Sequence, residues 1–542
     1  MYKRQPHNNE SYVYPAISPK WGGWSTWKPS KAQEIVFKDL QSKKPVYIVP
    51  YVLAGLGRNF DLNEEESAYL RDDTPVHELG LDVKYGLTNN LTLDVTFNTD
   101  FAQVEADDEQ INLTRFSLFF PEKRLFFQER SSNFEFNLGG DDRLFYSRRI
   151  GISDDKPINI YGGGRIVGRV GSWDVGLMNL QTAPLEKLSS ENFGVYRLRR
   201  QVFNRNSYVG GMLTSRIGTK GSYNIAYGLD GIFRVKKDDY LSFYWAQTFE
   251  DSSENKTVTS LDLSRMGVRW ENRKQQGLGY DLVFSRSGKS FNPGIGFFQR
   301  ENYTRFGSKL LYGWLSGEKS WLQQHYLYLN GNVFLGNSDS DVESVQISPG
   351  WYFIGKSAIE GNFSVNVYYE NVPDTFSFSD EAKVPSGKYR FYSFKSYFVT
   401  PMSRLYYAVI NLETGSFFDG WRFSLSVLPT WSISADLELS GFYEFNRVAF
   451  PKRNQEFTAH IGRLKVLWMM STSLSLSAFI QYNSEANILI SNLRFRFNPR
   501  EGNDFYIVYD EGSFIDRFKE SPVLPPISNR TILLKYTYTF NF

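Results

Sequence analysis

The sequence predicts an all-β protein, a transmembrane antiparallel β-barrel of roughly 24 strands within a range of 22 to 26. Three observations support this class. Apolar and polar residues alternate along most of the chain, the links between these segments alternate between short and long, and aromatic residues make up 17% of the sequence. Because successive side chains of a strand point to opposite faces, each segment would have one apolar face and one polar face.

The alternation is clear in the segment LGLDVKY at residues 79–85, where Asp82 and Lys84 lie opposite the apolar residues. It recurs at residues 91–97, 362–370, 433–440 and 473–481. The period alone would also suit a soluble β-sandwich, in which one face of each strand lines the core. The lengths of the links therefore have to separate the two classes.

Short and long links follow one another along the chain. Tight turns are predicted near residues 87–89, 170–172, 236–238, 273–276, 355–357, 400–402 and 469–470. Longer links are predicted at 59–74, 100–158, 251–257, 288–300, 371–387, 445–455 and 513–528, with short exceptions at 217–221 and 485. Short turns on one rim and long loops on the other are typical of outer-membrane barrels. With an even strand number, both termini are expected on the short-turn, periplasmic side.

Composition excludes several classes of protein. The chain has 61 basic and 59 acidic residues, which gives no electrostatic case for binding nucleic acid. No apolar run approaches the roughly 18 residues of a membrane-spanning helix. The absence of Cys removes disulfides and thiol nucleophiles, and the four scattered His form no metal motif. We therefore expect neither a cofactor nor a metal.

The chain is expected to divide into an N-terminal linker at residues 1–43 and an outer-membrane barrel at residues 44–542. The linker region is irregular and rich in Pro and Trp. The first residues lack the apolar core of a secretory signal, which an outer-membrane protein needs. We therefore expect a signal peptide and further sequence upstream in a longer precursor.

The link at residues 100–158 differs from all the others. It is too long for a structureless loop in a compact domain, and a barrel of this size would leave a wide lumen. We expect it to fold inward as a plug or constriction. The candidate lumen residues are Asp100, Glu105, Asp107, Asp108, Phe119, Phe120, Pro121, Glu122, Lys123, Arg124, Phe126, Phe127, Arg148 and Arg149.

The acidic residues from Asp100 to Glu109 have two interpretations. They could bind Ca²⁺ through carboxylate oxygens, but they lack the spacing and the glycine of an EF-hand. A charged lumen surface paired with the arginines at 143, 148 and 149 is the simpler interpretation. The nearby tripeptide at 112–114 matches a glycosylation sequon, which is a frequent coincidence.

The stretch FAQVEADDEQINLTRFSLFFPEKRLFFQERSSNFEF at 101–136, with DRLFYSRRIG at 142–151, resembles the signature of the domain-of-unknown-function family numbered 5916. That family occurs in Gram-negative bacteria, notably Bacteroidota. The resemblance extends from about Tyr12 to Phe542. It implies an outer-membrane barrel that follows a signal peptide and a sandwich domain similar to family-nine carbohydrate-binding modules. Arg130 stands where the family is expected to have glycine, so no function of that glycine carries over.

Three functions are open hypotheses. The first is an outer-membrane channel or transport component with a partly plugged lumen. The second is a carbohydrate-binding or carbohydrate-catabolism surface protein, in which the barrel anchors an upstream sugar-binding domain and glycans are the partners. The third is a membrane-associated hydrolase.

Catalysis has little support in the sequence. Asp107 paired with Glu122 or Glu129 is one of many pairs that 59 acidic residues allow. His460 is predicted to face the lumen with Glu456 and Thr458, where a solvated histidine is a simpler interpretation than a hydrolase base. An enzymatic role is therefore the less favoured one, and no catalytic residue is assigned.

The last segment, ILLKYTYTFNF at 532–542, is predicted to close the barrel by pairing with a first strand near residues 46–56. That pairing would leave no sheet edge exposed to lipid. The alternating residues Tyr536, Tyr538, Phe540 and Phe542 resemble the C-terminal signal that the barrel assembly machinery recognises. Outer-membrane lipid and that machinery are the expected partners.

Overall fold

The computed structural model describes residues 2–5, 10–13, 33, 35–36, 44–99, 107–153, 156–186, 188–251, 259–274, 276–379 and 381–542. Within them, 24 antiparallel strands form a closed barrel, which confirms the predicted fold class. In chain order, β1 to β24 are Val46–Leu62, Tyr69–Thr88, Leu91–Phe97, Ile160–Val170, Trp173–Thr182, Glu191–Gln201, Tyr208–Gly218, Tyr223–Lys236, Asp239–Glu250, Ser264–Asn272, Gly277–Ser287, Tyr303–Leu315, Leu322–Gly336, Val342–Gly355, Glu360–Val372, Gly387–Val399, Tyr406–Phe417, Gly420–Ser432, Leu437–Phe450, Gln455–Trp468, Leu474–Asn483, Ile488–Arg500, Asn503–Phe514 and Ile527–Tyr538, the last continuing as Phe540–Asn541.

Few other elements accompany the barrel. Helix α1 spans Leu125–Gln128, and 3₁₀ turns cover Ser131–Phe134, Ser147–Arg149 and Pro451–Arg453. Three small hairpins pair Tyr2–Gln5 with Glu10–Val13, Ile152–Ser153 with Lys156–Pro157, and Phe376–Ser377 with Lys383–Val384. No helix among the described residues is long and apolar enough to cross a membrane. Most of the predicted linker at 1–43 lies outside the described residues.

The barrel closes between its first and last strands. Tyr51 lies opposite Thr537, and Ile48 lies opposite Phe540 in the same register. The backbone N–H of Val46 donates to the carbonyl of Phe542 at 3.2 Å, and the N–H of Phe542 donates back at 3.0 Å. The predicted closing pair is confirmed, and no barrel edge is left unpaired.

The outward face of the barrel is apolar. Side chains on this face that remain at least a third exposed in the isolated chain include Leu79, Val268, Leu278, Leu310, Leu329, Val365, Leu464, Leu493 and Leu534. Tryptophans concentrate near the rim of short turns: Trp173, Trp270, Trp314, Trp321, Trp431 and Trp468. An apolar band bordered by amphipathic aromatic rings is the surface that a bilayer requires.

The two rims differ as the sequence predicts. On one rim every link has six residues or fewer, and both β1 and β24 meet this rim at their terminal ends. The other rim carries the long links, including 98–159, 251–263, 288–302, 373–386 and 515–526. We call the two the short-turn rim and the long-loop rim.

Three predicted boundaries are wrong. The long link expected at 445–455 covers only 451–454, because β19 continues to Phe450, whose side chain is buried in an apolar core. The long link expected at 59–74 covers only 63–68, because β1 and β2 continue beyond the apolar band and pair through Arg58 and Asp73 at 2.7 Å. The segment expected to be extended at 433–440 begins with a turn at 433–436. There the Ser434 hydroxyl accepts hydrogen bonds from the N–H groups of Asp436 and Leu437. Hydropathy alone shows neither charged cross-strand pairs nor Ser-based turns.

Candidate lumen site

The described part of the link between β3 and β4, residues 107–153, lies inside the barrel, and we call it the inserted segment. It begins at β20 and β21, where Asp108 is 3.0 Å from the Arg463 guanidinium and the Asn483 amide donates to Glu109 at 2.9 Å. Because Arg463 and Asn483 point inward, the segment starts against the lumen wall. Asp100 and Glu105, both predicted site residues, lie outside the described residues.

The segment then reaches other strands of the wall. Arg115 is 3.3 Å from Glu370 on β15. Further along, Asp142 forms an ion pair with Arg265 on β10, and Gln299 donates its backbone N–H to Asp142 at 3.0 Å. The inserted segment therefore contacts inward-facing residues on widely separated strands of the barrel.

The middle of the segment packs in an apolar core against the inner faces of β4 to β9. Six of its side chains are buried there: Phe127, Phe134, Phe136, Leu138, Leu144 and Ile150. The wall contributes Ile160, Val167, Met178, Leu180, Phe193, Val195, Met212, Ala226 and Ala246. The contact is close, since a Cβ on Gly228 would lie 2.8 Å from the Phe136 ring. The middle of the inserted segment therefore packs directly against the inner face of this part of the wall.

Glu122 and Arg124 fix the turn that precedes α1. The Arg124 guanidinium donates to Glu122 at 2.7 Å and to the carbonyls of Ser147 and Ile150 at 2.7 and 2.6 Å. The Ser147 hydroxyl also donates to Glu122 at 2.6 Å. Burial opposes ionisation of Glu122, but the hydrogen bonds and charge of Arg124 outweigh it and lower its pKa. The pair joins the two halves of the segment, and Phe127 stacks under Arg124.

Asp107 also joins the two halves. Its carboxylate forms an ion pair with Arg148 and lies 3.8 Å from the Lys123 ammonium. Its backbone carbonyl accepts a hydrogen bond from Gln481 on β21 at 3.3 Å. Arg149 instead donates to the carbonyl of Gly296 at 3.3 Å.

Glu129 reaches the wall formed by β2 and β4. It is 2.6 Å from the Lys84 ammonium, and its backbone carbonyl accepts from Arg165 at 3.0 Å. Arg165 is buried and donates to Asp94 at 2.7 Å, and it stacks over Phe126. Partial burial opposes ionisation of Glu129, but the Lys84 ammonium and the nearby arginines outweigh it and lower its pKa.

The remaining candidate residues, Phe119, Phe120 and Pro121, directly precede Glu122 in the segment. Phe119 packs against Tyr146 and Phe297 with ring centroids 5.1 and 5.2 Å away. The Tyr146 hydroxyl donates to the carbonyl of Phe120 at 2.5 Å, and Pro121 is exposed. These aromatic residues thus fix the fold of the segment itself.

Arg130 has a left-handed backbone with φ of 53°. Glycine adopts this conformation readily, whereas other residues incur a cost of roughly 1–2 kcal/mol. The resemblance leads one to expect glycine here, and the backbone gives a physical reason for it. The Arg130 guanidinium donates to the carbonyl of Val167 at 3.1 Å, which compensates for the strained backbone.

Three buried ion pairs, one of them between Arg165 and Asp94, have no signal in the sequence. Arg197 on β6 is fully buried and donates to both carboxylate oxygens of Asp230 at 2.7 Å. Arg265 is buried against Asp142 of the segment. Each arginine falls on the predicted polar face, where it resembles any solvated lumen charge.

The prediction that His460 faces the lumen is wrong. Arg463 on the same strand contacts the inserted segment, so Arg463 points inward. Because successive side chains alternate between the two faces, His460, three positions away, points outward together with Leu464. The His460 Nδ1 lies 2.9 Å from the hydroxyl of Tyr443. This strand is apolar on both faces, because its inward-facing Phe457 is buried in a second apolar core. The alternation of apolar and polar residues therefore does not show which face of the strand points into the lumen.

Two cavities lie beside the inserted segment. The large cavity, of about 1010 Å³, is lined by charged wall residues and extends to Arg273 in a link of the short-turn rim. The small cavity, of about 320 Å³, lies between β14–β18 and residues 113–116 of the segment. Among the described residues, no cluster of three or more His, Asp or Glu is placed to hold a metal ion.

The closed sheet and its apolar exterior define a transmembrane β-barrel of the outer-membrane type. A family model described as Domain of unknown function (DUF5916) matches residues 48–162, which hold β1 to β3 and the inserted segment. The resemblance seen in the sequence is confirmed over this region. Comparison with curated protein sequences finds no match.

Solved structures similar to the chain are bacterial barrels. The siderophore receptor PirA from Pseudomonas aeruginosa is 8% identical over 91% of this chain and 80% of its own, with a TM-score of 0.40. The ferric enterobactin receptor PfeA in complex with BCV-L6 is 11% identical over 91% and 81%, with a TM-score of 0.41. OccAB4 from Acinetobacter baumannii is 8% identical over 93% and 99%, with a TM-score of 0.28.

Proposed function

We propose that the protein is an outer-membrane channel or transport component, with both termini periplasmic, whose lumen is narrowed by the inserted segment. The observation that carries this proposal is the contact of residues 107–153 with strands as far apart as β2, β10, β15 and β21. A barrel of 24 strands would otherwise enclose a wide lumen. The large cavity beside the segment supplies a space for solute that reaches the short-turn rim.

The attachment of the segment is uneven along its length. Burial of an apolar side chain contributes roughly 1.5–3 kcal/mol, so the six buried side chains between residues 127 and 150 hold the middle firmly. Partly exposed ion pairs contribute about 0–1 kcal/mol each. The first part, residues 107–116, is held mainly by such pairs and by the partly buried Ile111 and Leu113. We therefore regard the middle as the fixed constriction and residues 107–116 as the part able to move.

The test replaces residues 107–153 with a short Gly-Ser linker and measures single-channel conductance in a planar bilayer. The deletion is expected to raise the conductance several-fold. A matched control removes residues 515–526, a long link of the same rim outside the inserted segment, and should leave conductance near the wild-type value. Unchanged conductance in a correctly folded 107–153 deletion contradicts the proposal.

A point substitution provides a second test in case the deletion variant does not fold. Asp142→Ala keeps the whole chain but removes the carboxylate that binds Arg265. Looser docking should produce more frequent transitions to higher conductance. The barrel fold of each variant is checked by heat-modifiable migration in electrophoresis.

A further inference from the structure

Four residues line both cavities: Phe116, Gln346, Tyr368 and Glu370. Gln346, Tyr368 and Glu370 belong to β14 and β15 of the wall, whereas Phe116 belongs to the inserted segment. A residue that borders two cavities separates them. Phe116 is thus the inner side of a constriction whose outer side is the fixed barrel wall.

A turn with its own hydrogen bonds holds Phe116 in this place. The Asn112 amide donates to the carbonyl of Phe116 at 2.8 Å, and the Asn112 carbonyl oxygen accepts from both the N–H and the hydroxyl of Thr114 at 3.0 and 2.8 Å. The N–H of Phe116 donates back to the Thr114 hydroxyl at 3.2 Å. The tripeptide that matches a glycosylation sequon therefore builds the turn that positions an aromatic ring.

The Phe116 ring is held between two cations and not by an apolar core. The guanidinium of Arg300 lies 4.8 Å from the ring centroid, and that of Arg115 lies 5.2 Å away. Arg115 is in turn paired with Glu370 across the constriction. Two cation–π contacts hold the ring less tightly than packing in an apolar core would, so the ring can swing while the turn stays folded.

The small cavity combines aromatic rings with positive charge. Lys395, at 3.3 Å, and Arg422 both pair with the single carboxylate of Glu413. Arg422 also stacks over Phe417, whose ring lines the same cavity. Two cations that share one carboxylate leave a positive charge available to a ligand.

We propose that the small and large cavities are consecutive chambers of one solute path, that Phe116 is the gate between them, and that the path takes small anions with an apolar face. The proposal rests on the channel function proposed above and specifies its route. Solute would enter the small cavity near Arg422, pass the Phe116 ring, and leave through the large cavity to the short-turn rim.

The first test is the conductance of Phe116→Ala in a planar bilayer. The smaller side chain should raise single-channel conductance at least two-fold. Phe298→Ala is the matched control: this partly buried aromatic residue lies in the link 288–302 and lines neither cavity. Equal conductance in Phe116→Ala and wild type overturns the assignment of the gate.

The absence of Cys from the chain allows a second test that does not depend on a cavity being created. Phe116→Cys is treated with a negatively charged methanethiosulfonate reagent during recording. Reaction should reduce the current by more than half. Leu79→Cys, on the outward face, should give no change. A current that is unaffected by labelling of residue 116, with labelling confirmed by mass spectrometry, overturns the route.

The third test concerns the class of solute. The reversal potential in a KCl gradient should show a preference for anions, and Arg422→Gln should reduce this preference at least two-fold. Arg447→Gln, which changes an outward arginine paired with Glu456, is the control. An unchanged preference in Arg422→Gln overturns the anion assignment.

Failure of this proposal can be told from failure of the channel function. If deletion of 107–153 raises conductance while Phe116→Ala and labelled Phe116→Cys do not differ from wild type, the channel stands and the route is wrong. If neither the deletion nor any variant conducts, the channel function itself is wrong.

Discussion

Asp142→Ala is expected to loosen the docking of the inserted segment without unfolding the barrel. The side chains of Arg265 and Asp142 are only 2% and 11% exposed. Removing one member of a buried ion pair leaves the other charge uncompensated, which typically costs about 3–5 kcal/mol. Arg265 retains the carbonyl of Leu138 at 3.2 Å and the hydroxyl of Tyr303 at 3.0 Å as acceptors, so we expect the lower end of this range.

That cost can be read as amide exchange in the segment. The N–H of Leu138 donates to the carbonyl of residue 142 at 2.9 Å, and the N–H of Leu144 donates to the carbonyl of Phe136 at 3.1 Å. Since about 1.4 kcal/mol corresponds to a tenfold change, a loss of about 3 kcal/mol should speed hydrogen exchange at these amides roughly 100-fold. Amides of β24, far from the segment, should keep wild-type protection.

A double variant separates charge burial from packing. Replacing both members, Asp142→Leu with Arg265→Met, removes the pair without leaving a buried charge, and such replacements are often neutral or stabilising. Its exchange should return close to the wild-type rate. The reasoning is refuted if Asp142→Ala exchanges like wild type, or if the double variant exchanges as fast as the single one.

Two further predictions concern acid and assembly. Because the folded protein lowers the pKa of Glu122, its ionised form stabilises the docked segment above the ordinary value of 4.5, and this stabilisation is lost as the pH falls through the lowered pKa. Pepsin cleavage of the segment should therefore accelerate in the wild type as the pH falls below 4.5, and Glu122→Gln should show a flatter profile while exposed Glu135→Gln does not. Deleting Phe542 removes both hydrogen bonds to Val46, so the fraction of folded barrel in outer-membrane extracts should fall. Phe542→Ala keeps the backbone bonds and tests the aromatic ring alone, and normal assembly of the deletion would contradict the closure argument.

The architecture could be predicted from the sequence because the features that define a barrel are local ones. Period-two alternation marks each strand, and the alternation of link lengths orders the rims. The closing pair of β24 with β1 then follows, since lipid leaves no place for an unpaired edge. The predicted boundaries are wrong where charged residues continue a strand beyond the apolar band, as at Arg58 and Asp73.

The candidate site could be predicted only in part. An insertion with unusual composition pointed to residues 100–158, but contacts between residues hundreds of positions apart have no local signature. Asp108 with Arg463 is one such contact, and Arg265 with Asp142 is another. A buried arginine and a solvated arginine both fall at polar positions in the alternation of apolar and polar residues along a strand. Their difference depends on what fills the lumen beside them.

The strands that pack against the inserted segment nevertheless differ in sequence from the other strands. On β5, Val175 and Leu177 point outward, while Met178 and Leu180 are buried on the inward side. A strand with lipid on one face and water on the other cannot be apolar on both, because exposed apolar surface in water is unfavourable. Two apolar faces in a membrane barrel therefore indicate protein inside, and here they mark the sector where the inserted segment docks.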